Sequence, residues 1–326
     1  MAEWLYEAGI GEARAARVED GAIVEAWIEP EGDGPRAGAV LDARLVRILS
    51  ARQGIAAFGG GEALVEPLPS GLTEGAALRI EIVREALPEP GKPKRAKARA
   101  TDGALRDGSD LAARVAAMGV PVSVLSARGP DLLEAAGWSE LLEEAVSGEV
   151  AFPGGSLRIS PTPAMTLIDI DGTLDPAALA VAGARAAGEA IRRFGIGGSI
   201  GLDLPTLGSK AERQEADSAF DAALPQPFER TAVNGFGFMQ IVRPRVRASL
   251  IEILREDDAP ARALLRRAER SGLTGAVELV ASSTIVRILS AHSEWLEAIA
   301  RSLGGPVTLP ADPALAIWAG YAAKAR

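Results

Sequence analysis

The stretch Met165-Thr-Leu-Ile-Asp169-Ile-Asp171-Gly172-Thr-Leu-Asp175 places two carboxylates one residue apart behind an apolar run. Side chains alternate across an extended strand, so Asp169 and Asp171 share one face and Ile168 and Ile170 the other. Gly172 then ends the strand. Two carboxylates at a strand's carboxyl end, facing one crevice, suit either a hard divalent cation or a division of labour between nucleophile and acid. The next residues read as a helix, with Asp175 as N-cap, Pro176 at the first helical position, and a pattern running from Ala177 to Phe194 before Gly195. Gly197-Gly198 leads into a second strand, Ser199-Ile-Gly-Leu-Asp203-Leu204. Strand, helix and strand together have the length of a parallel crossover. If the two strands are neighbours, Asp203 lies beside Asp169 at the carboxyl edge, where open α/β sheets place their sites.

Working outward, a hairpin precedes the motif: Glu149-Val-Ala-Phe152 and Ser156-Leu-Arg-Ile159 flank the turn Pro153-Gly154-Gly155. Before it, helical signal covers Asp131 to Val146 and Asp110 to Met118, with a strand over Val120 to Leu125. Residues 38–100 read as short strands broken by turns: Ala39 to Ile48, Gly54 to Phe58, Ala63 to Glu66 and Ala77 to Arg84. That spacing predicts a small closed barrel, most simply an OB-fold. Gly59-Gly60-Gly61 lacks the Lys and Ser/Thr of a phosphate loop and is a turn. Pro88 to Asp107 is a boundary or a ragged last strand. Two dense basic patches stand out, Lys92-Pro-Lys94-Arg95-Ala-Lys97-Ala-Arg99 and Arg243-Pro-Arg245-Val-Arg247. An extended chain would aim all three arginines of the second at one side, with Pro244 confining it to a sheet edge or a loop.

Composition narrows the chemistry. The chain has 326 residues, enough for two or three modules with cores of their own. It has no cysteine, which excludes disulfides, thiolate nucleophiles and cysteine zinc sites. Its single histidine, His292, sits in a helical stretch as a surface or boundary residue, so a Ser-His-Asp triad is not expected. Chemistry must rest on carboxylates and on Arg or Lys, with or without a metal. No apolar stretch reaches the roughly 18 residues of a spanning helix, and the start is acidic where a signal peptide would be basic, so the expected location is cytoplasmic. A net charge of −9 argues against a large nucleic-acid footprint and leaves only local basic patches for phosphate contacts.

Asp169-Ile-Asp171-Gly172-Thr173 by itself resembles the opening motif of the haloacid dehalogenase-like phosphatases, in which the first Asp is the nucleophile and the second the general acid. That family ends its second strand on Ser or Thr, where this chain has Asp203-Leu-Pro. Lys210 and Asp257-Asp258 are the available later Lys and acidic pair.

A second resemblance covers most of the chain. Residues 149–159 followed by Met165-Thr-Leu-Ile-Asp169-Ile resemble the bacterial RNase E/G endoribonucleases, whose hairpin precedes a strand bearing the first metal-binding Asp. Gly197-Gly-Ser-Ile-Gly-Leu-Asp203 resembles that family's second metal strand, and Phe236-Gly-Phe-Met-Gln-Ile-Val-Arg243-Pro-Arg245 its Phe-Gly-Leu…Arg-x-Arg segment. The resemblance implies an α/β, or α+β multidomain, fold. Residues 1–37 with 101–147 would form a reduced RNase H-like part, 38–100 an RNA-binding OB-fold, and 148–326 an α/β DNase-like catalytic domain. It further implies Asp169 and Asp203 as ligands of one Mg²⁺, with Asp171 as accessory ligand or water-orienting group, so that the catalytic set is Asp169, Asp203 and Asp171. Phe58, Lys94, Arg243 and Arg245 would bind single-stranded RNA.

The departures from the family are specific. Asp171 stands where the family has Asn, Leu64 where the barrel has a second aromatic, and Gly235 where a basic residue precedes Phe-Gly. There is no room for the 5′-end sensor, and the cysteines that link protomers through zinc are missing, so no zinc is expected and any homo-oligomer must be held otherwise. A non-catalytic RNA-binding relative and the phosphatase stand as alternatives.

Overall fold

A computed structural model describes residues 2–32, 34–88 and 93–325. The chain opens on three strands, β1 (Glu3–Ala8), β2 (Glu12–Glu19) and β3 (Ala22–Pro30). Five more follow: β4 (Val40–Ser50), β5 (Gln53–Phe58), β6 (Gly61–Val65), β7 (Ala77–Arg84) and β8 (Ala96–Ala100). Helix α1 (Leu111–Ala116), strand β9 (Val122–Val124) and helices α2 (Leu132–Ala135) and α3 (Trp138–Ser147) lead to the hairpin β10 (Glu149–Phe152) and β11 (Gly155–Pro161). Then come β12 (Thr166–Gly172), α4 (Pro176–Arg193), β13 (Gly198–Asp203), α5 (Lys210–Ala223), β14 (Glu229–Arg230) and β15 (Phe238–Arg243). The rest holds α6 (Leu250–Ile253), α7 (Ala259–Arg270), β16 (Val277–Val280), α8 (Ser283–Ala291), α9 (Ser293–Leu303), β17 (Val307–Thr308) and β18 (Tyr321–Lys324). Among the described residues no helix is long and apolar enough to cross a membrane. The helical run expected over 131–146 is divided, because Gly137 at φ 95° closes α2 in the left-handed conformation.

The fold is mixed α/β, in two compact units. One combines Met1–Glu31, Met118–Leu142 and Ile253–Arg326; the other combines Gly32–Ala117 and Glu143–Glu252.

In the first unit the sheet order is β3-β2-β1-β9, with β9 parallel to β1 and the other pairs antiparallel. Asp20 (φ 50°) and Gly21 (φ 84°) form the tight turn between β2 and β3, the Asp-Gly chemistry that type I′ hairpins favour. Trp4 is fully buried against Trp27, ring centroids 4.6 Å apart. α7 carries Arg262, Arg266 and Arg270 at four-residue intervals, hence on one face. That face meets the buried carboxylates of β1 and β2. Arg266 Nε donates to Glu7 at 2.9 Å and Arg262 Nε to Glu12 at 2.8 Å, while Arg270 also pairs with Glu7. Arg14 bridges Glu7 and Glu12 at 3.0 and 2.6 Å. Burial opposes ionisation of Glu7, but the Arg266 and Arg14 guanidiniums and the hydrogen bond from Arg270 outweigh it and hold its carboxyl below the usual range. The small sheet β17-β16-β18 packs with α7, α8 and α9 around Leu264, Leu279, Leu289 and Ile299.

In the second unit the expected small closed barrel is present, ordered β4-β5-β6-β8-β7 and closing on β4. β6 and β8 are parallel; the other pairs are antiparallel. Leu45, Ile80 and Ile82 fill its interior with Ala56, Ala63, Ala96 and Ala98, whose small side chains suit a narrow barrel. The barrel's companion is a six-stranded sheet ordered β10-β11-β12-β13-β15-β14, in which only β12 and β13 run parallel. α4 makes that crossover and covers one face. Its N-cap Asp175 accepts from Ala178 N at 3.2 Å, with Pro176 in the first turn as expected. Small residues let it approach closely, since a Cβ at Gly183 would sit 2.6 Å from Ile170 and one at Gly188 2.9 Å from Ala223 of α5.

Candidate functional site

The register of the central strands builds the site. Asp169 of β12 and Asp203 of β13 are direct partners across the parallel pair, which puts their side chains on one face, about 5 Å apart at the Cα atoms. Ile168 and Ile170, with Ile200 and Leu202, are buried on the opposite face. The aspartates therefore point away from α4. All three, Asp169, Asp171 and Asp203, are exposed. None of the three side chains makes a hydrogen bond or ion pair among the described residues. No group of three or more His, Cys, Asp or Glu among those residues is placed to hold a metal ion. The arrangement is thus a pair of carboxylates with a third on the neighbouring row.

Five strands contribute to the row at this level: Glu149, Arg158, Asp169, Asp203 and Phe238 are successive cross-strand partners. Arg158 is the nearest cation by register. Its contact with Glu149, at 3.6 Å and with both side chains 65% exposed, is a weak surface pair. Asp171 pairs with Ser156. On the other side of the aspartates the face turns apolar. A Cβ added to Gly201 would lie 2.6 Å from the Phe238 ring and 3.0 Å from Leu167, so these two side chains close over the glycine beside Asp203. Gly172 has a comparable reason. A Cβ there would strike Gly154 and lie 2.6 Å from Leu179, so the glycine after Asp171 serves packing.

The turn into β15 is held against the end of β13. Asn234 Oδ1 accepts from Phe236 N at 2.8 Å and Phe238 N at 3.1 Å, Gly237 N donates back to Asn234 O at 3.1 Å, and Leu204 N donates to Gly237 O at 3.0 Å. Gly237 has φ 86°, and a Cβ there would collide with Leu204 O. Phe236 rides on this turn, 85% exposed.

Arg243 and Arg245 are placed elsewhere. Arg243 pairs with Gly198, five residues back along β13 from Asp203, roughly 17 Å away along the strand. It has the opposite strand parity to the aspartate face and donates through Nη1 to Ile196 O at 3.1 Å. Arg245 forms an ion pair with Glu252, which also accepts from Ser249 N and Oγ at 2.9 and 2.7 Å. The chain leaves the strand after Arg243, so Arg243, Arg245 and Arg247 do not line one side of an extended segment; Pro244 cannot supply the ladder hydrogen bond.

In the barrel, Phe58 ends β5 half-buried against the core, with Gly59-Gly60 forming the expected turn. Lys94 is half-exposed and its backbone pairs with Leu87 in both directions at 3.0 Å. Lys92 lies outside the described residues. The rest of that basic patch is paired across strands: Arg95 with Glu62, Lys97 with Glu66 and Arg99 with Glu81, each at 2.7 Å. The alternation of β8 that gathers these cations faces them with acidic neighbours, so the patch carries little net field. His292 lies at the junction of α8 and α9, makes no capping hydrogen bond with its side chain, and stacks on Trp295 at 3.9 Å, the boundary role expected of it.

Comparison with protein-family models and with curated proteins finds no match.

Proposed function

We propose that this chain is an RNase E/G-like, metal-dependent endoribonuclease that hydrolyses single-stranded RNA. The observation that carries the reading is the direct register of Asp169 with Asp203, exposed and unengaged among the described residues. Like charges placed opposite one another destabilise a sheet, which gives such a pair a reason to hold a cation. The donor set suits Mg²⁺, which takes oxygen ligands, uses one or two carboxylates and keeps several waters. A bound Mg²⁺ supplies water activation and charge stabilisation at the attacked phosphate.

Asp169 and Asp203 would hold the ion, and Asp171, on the same face, orients a water. Arg158 offsets part of the acidic charge as the phosphate backbone approaches. The barrel's strand order, with its third and fifth strands parallel, supports an OB-fold reading; that fold binds oligonucleotides through its second and third strands and its first and fourth loops. Phe58 on β5 and Lys94 in the β7–β8 connection occupy such positions. Any phosphate contact from Arg243 or Arg245 would lie at the far end of the sheet, away from the aspartate face. The meander of β1 to β3 with β9 parallel to β1 supports a reduced RNase H-like part. The protein is taken as cytoplasmic.

The test is incubation with end-labelled AU-rich single-stranded RNA, with and without Mg²⁺, alongside an aryl phosphate. Internal cuts that require Mg²⁺ and vanish in Asp203→Asn are expected. Aryl phosphate turnover that survives Asp203→Asn but not Asp169→Asn would transfer the site to phosphatase chemistry. The extra charge of Asp171, where the family has Asn, favours a second reading as a non-catalytic RNA-binding relative. RNA retention without cutting is its signature.

A further inference from the structure

Among the described residues Phe236 is the most exposed of the large apolar side chains, at 85%. Exposed apolar residues scattered singly are ordinary, so exposure alone assigns nothing. Its setting does more. Five hydrogen bonds fix the turn that carries it, one of them donated by the backbone of Leu204, the residue after Asp203. Phe238, two residues on, is the cross-strand partner of Asp203 itself. Two residues and one strand spacing bring the Phe236 Cα within at most about 12 Å of the Asp203 Cα. The Phe236 backbone is thus held within that distance of the paired carboxylates, on the turn that leads into Phe238, whose ring covers Gly201 with Leu167.

We propose that Phe236 is a stacking platform for an unpaired nucleobase next to the Asp169–Asp203 pair. The inference rests on the nuclease reading above and adds a positioning residue to it. An aromatic face accepts any base, because every base has a π-face, and it can do so only where the base is free of a duplex stack. Phe236 would therefore set the preference for single strands without setting a sequence. It acts by holding the strand in register over the carboxylates, and it touches no reacting atom.

The experiment uses the full chain and its Phe236→Ala, Phe236→Leu and Phe236→Trp variants. Affinity for a fluorescent single-stranded oligoribonucleotide is measured in EDTA, and kcat/KM in Mg²⁺. Phe236→Ala and Phe236→Leu should weaken single-strand binding roughly 5- to 100-fold, the range of one base-stacking contact, while Phe236→Trp retains it. The same oligonucleotide annealed to its complement should bind all four proteins alike. Replacing successive nucleotides by abasic sites should reveal one position where wild type loses affinity and Phe236→Ala loses no more. The thermal midpoint should not move, since the ring is exposed. If wild type cuts the RNA and Phe236→Ala equals it on every substrate, the platform fails while the nuclease stands. If the abasic cycle couples to Phe236 but nothing is cut, the platform stands and the nuclease fails. A dimer that dissociates in Phe236→Ala with RNA affinity unchanged would make the ring a contact between copies and overturn the proposal.

Discussion

Asp169, Asp171 and Asp203 are alike in type and exposure but not in their neighbours. Asp203 faces Asp169 across the parallel pair, whereas Asp171 faces Ser156 on the next row. In the proposed mechanism Asp169→Asn or Asp203→Asn should lower the cleavage rate at least about 100-fold, the scale of losing a group made for the transition state. Asp171→Asn should stay within roughly 10-fold; a Mg²⁺ titration of the cleavage rate checks the ordering, and equal losses at all three positions would sink it. Gly201 makes a second residue-scale case. Gly201→Val pushes the Phe238 ring from the strip beside Asp203 and should cost about 1–3 kcal/mol of stability, measured by denaturant titration. The Asp169–Asp203 pairing is legible in the sequence because a crossover of fixed length leads from one strand to the next. The role of Gly201 is not, because the ring that covers it comes from β15, and only the sheet register brings it there.

At the scale of elements, two helices show how far local chemistry reaches. α4 announces itself: Asp175 and Pro176 begin it and Gly195 ends it, all within twenty-one residues. Asp175→Ala should cost about 1 kcal/mol of stability while leaving RNA cleavage unchanged, which separates a cap from a catalytic acid. The face of α7 is readable too, since Arg262, Arg266 and Arg270 recur every four residues. Their partners are not. Glu7 and Glu12 lie about 250 positions earlier, and no local signal says that three arginines will be buried on strands of the amino-terminal sheet. Removing one partner leaves the others charged in a dry site, so Glu7→Ala should destabilise the protein by about 3–5 kcal/mol in chemical denaturation.

The same network governs the response of the whole molecule to pH. Glu7 is held below its ordinary value of 4.5, so the stability it contributes is present above that value and is lost as pH falls through its lower folded value. Burial acts the other way on Glu269, raising its carboxyl against the weaker pull of Arg14, so its folded form prefers the proton and it opposes folding as pH rises above 4.5. Glu269→Gln should therefore be more stable than wild type near pH 8, with the gap closing toward pH 4; a gap that widened on acidification would contradict this sign. Because the first unit is assembled from three separated segments, a chain ended at Glu252 loses α7. Hydrogen exchange on such a chain should show β1 and β2 unprotected.

Local signals within this sequence determined what short-range physics determines: strand alternation around Asp169, the α4 cap, the Pro153-Gly154-Gly155 turn, the spacing of a small barrel, and a chemistry without thiols. Asp20-Gly21 is an equally plain hairpin signal for the strands on either side of it, β2 and β3. Tertiary structure alone decided the rest. It placed Arg243 and Arg245 at the far end of the sheet from the aspartates, gave the cations of β8 acidic partners, packed 253–326 with the amino-terminal sheet, and left Phe236 in solvent. Each of those outcomes depends on which strand lies beside which. Register and burial are properties of neighbours distant in the chain, and no window of residues contains both partners.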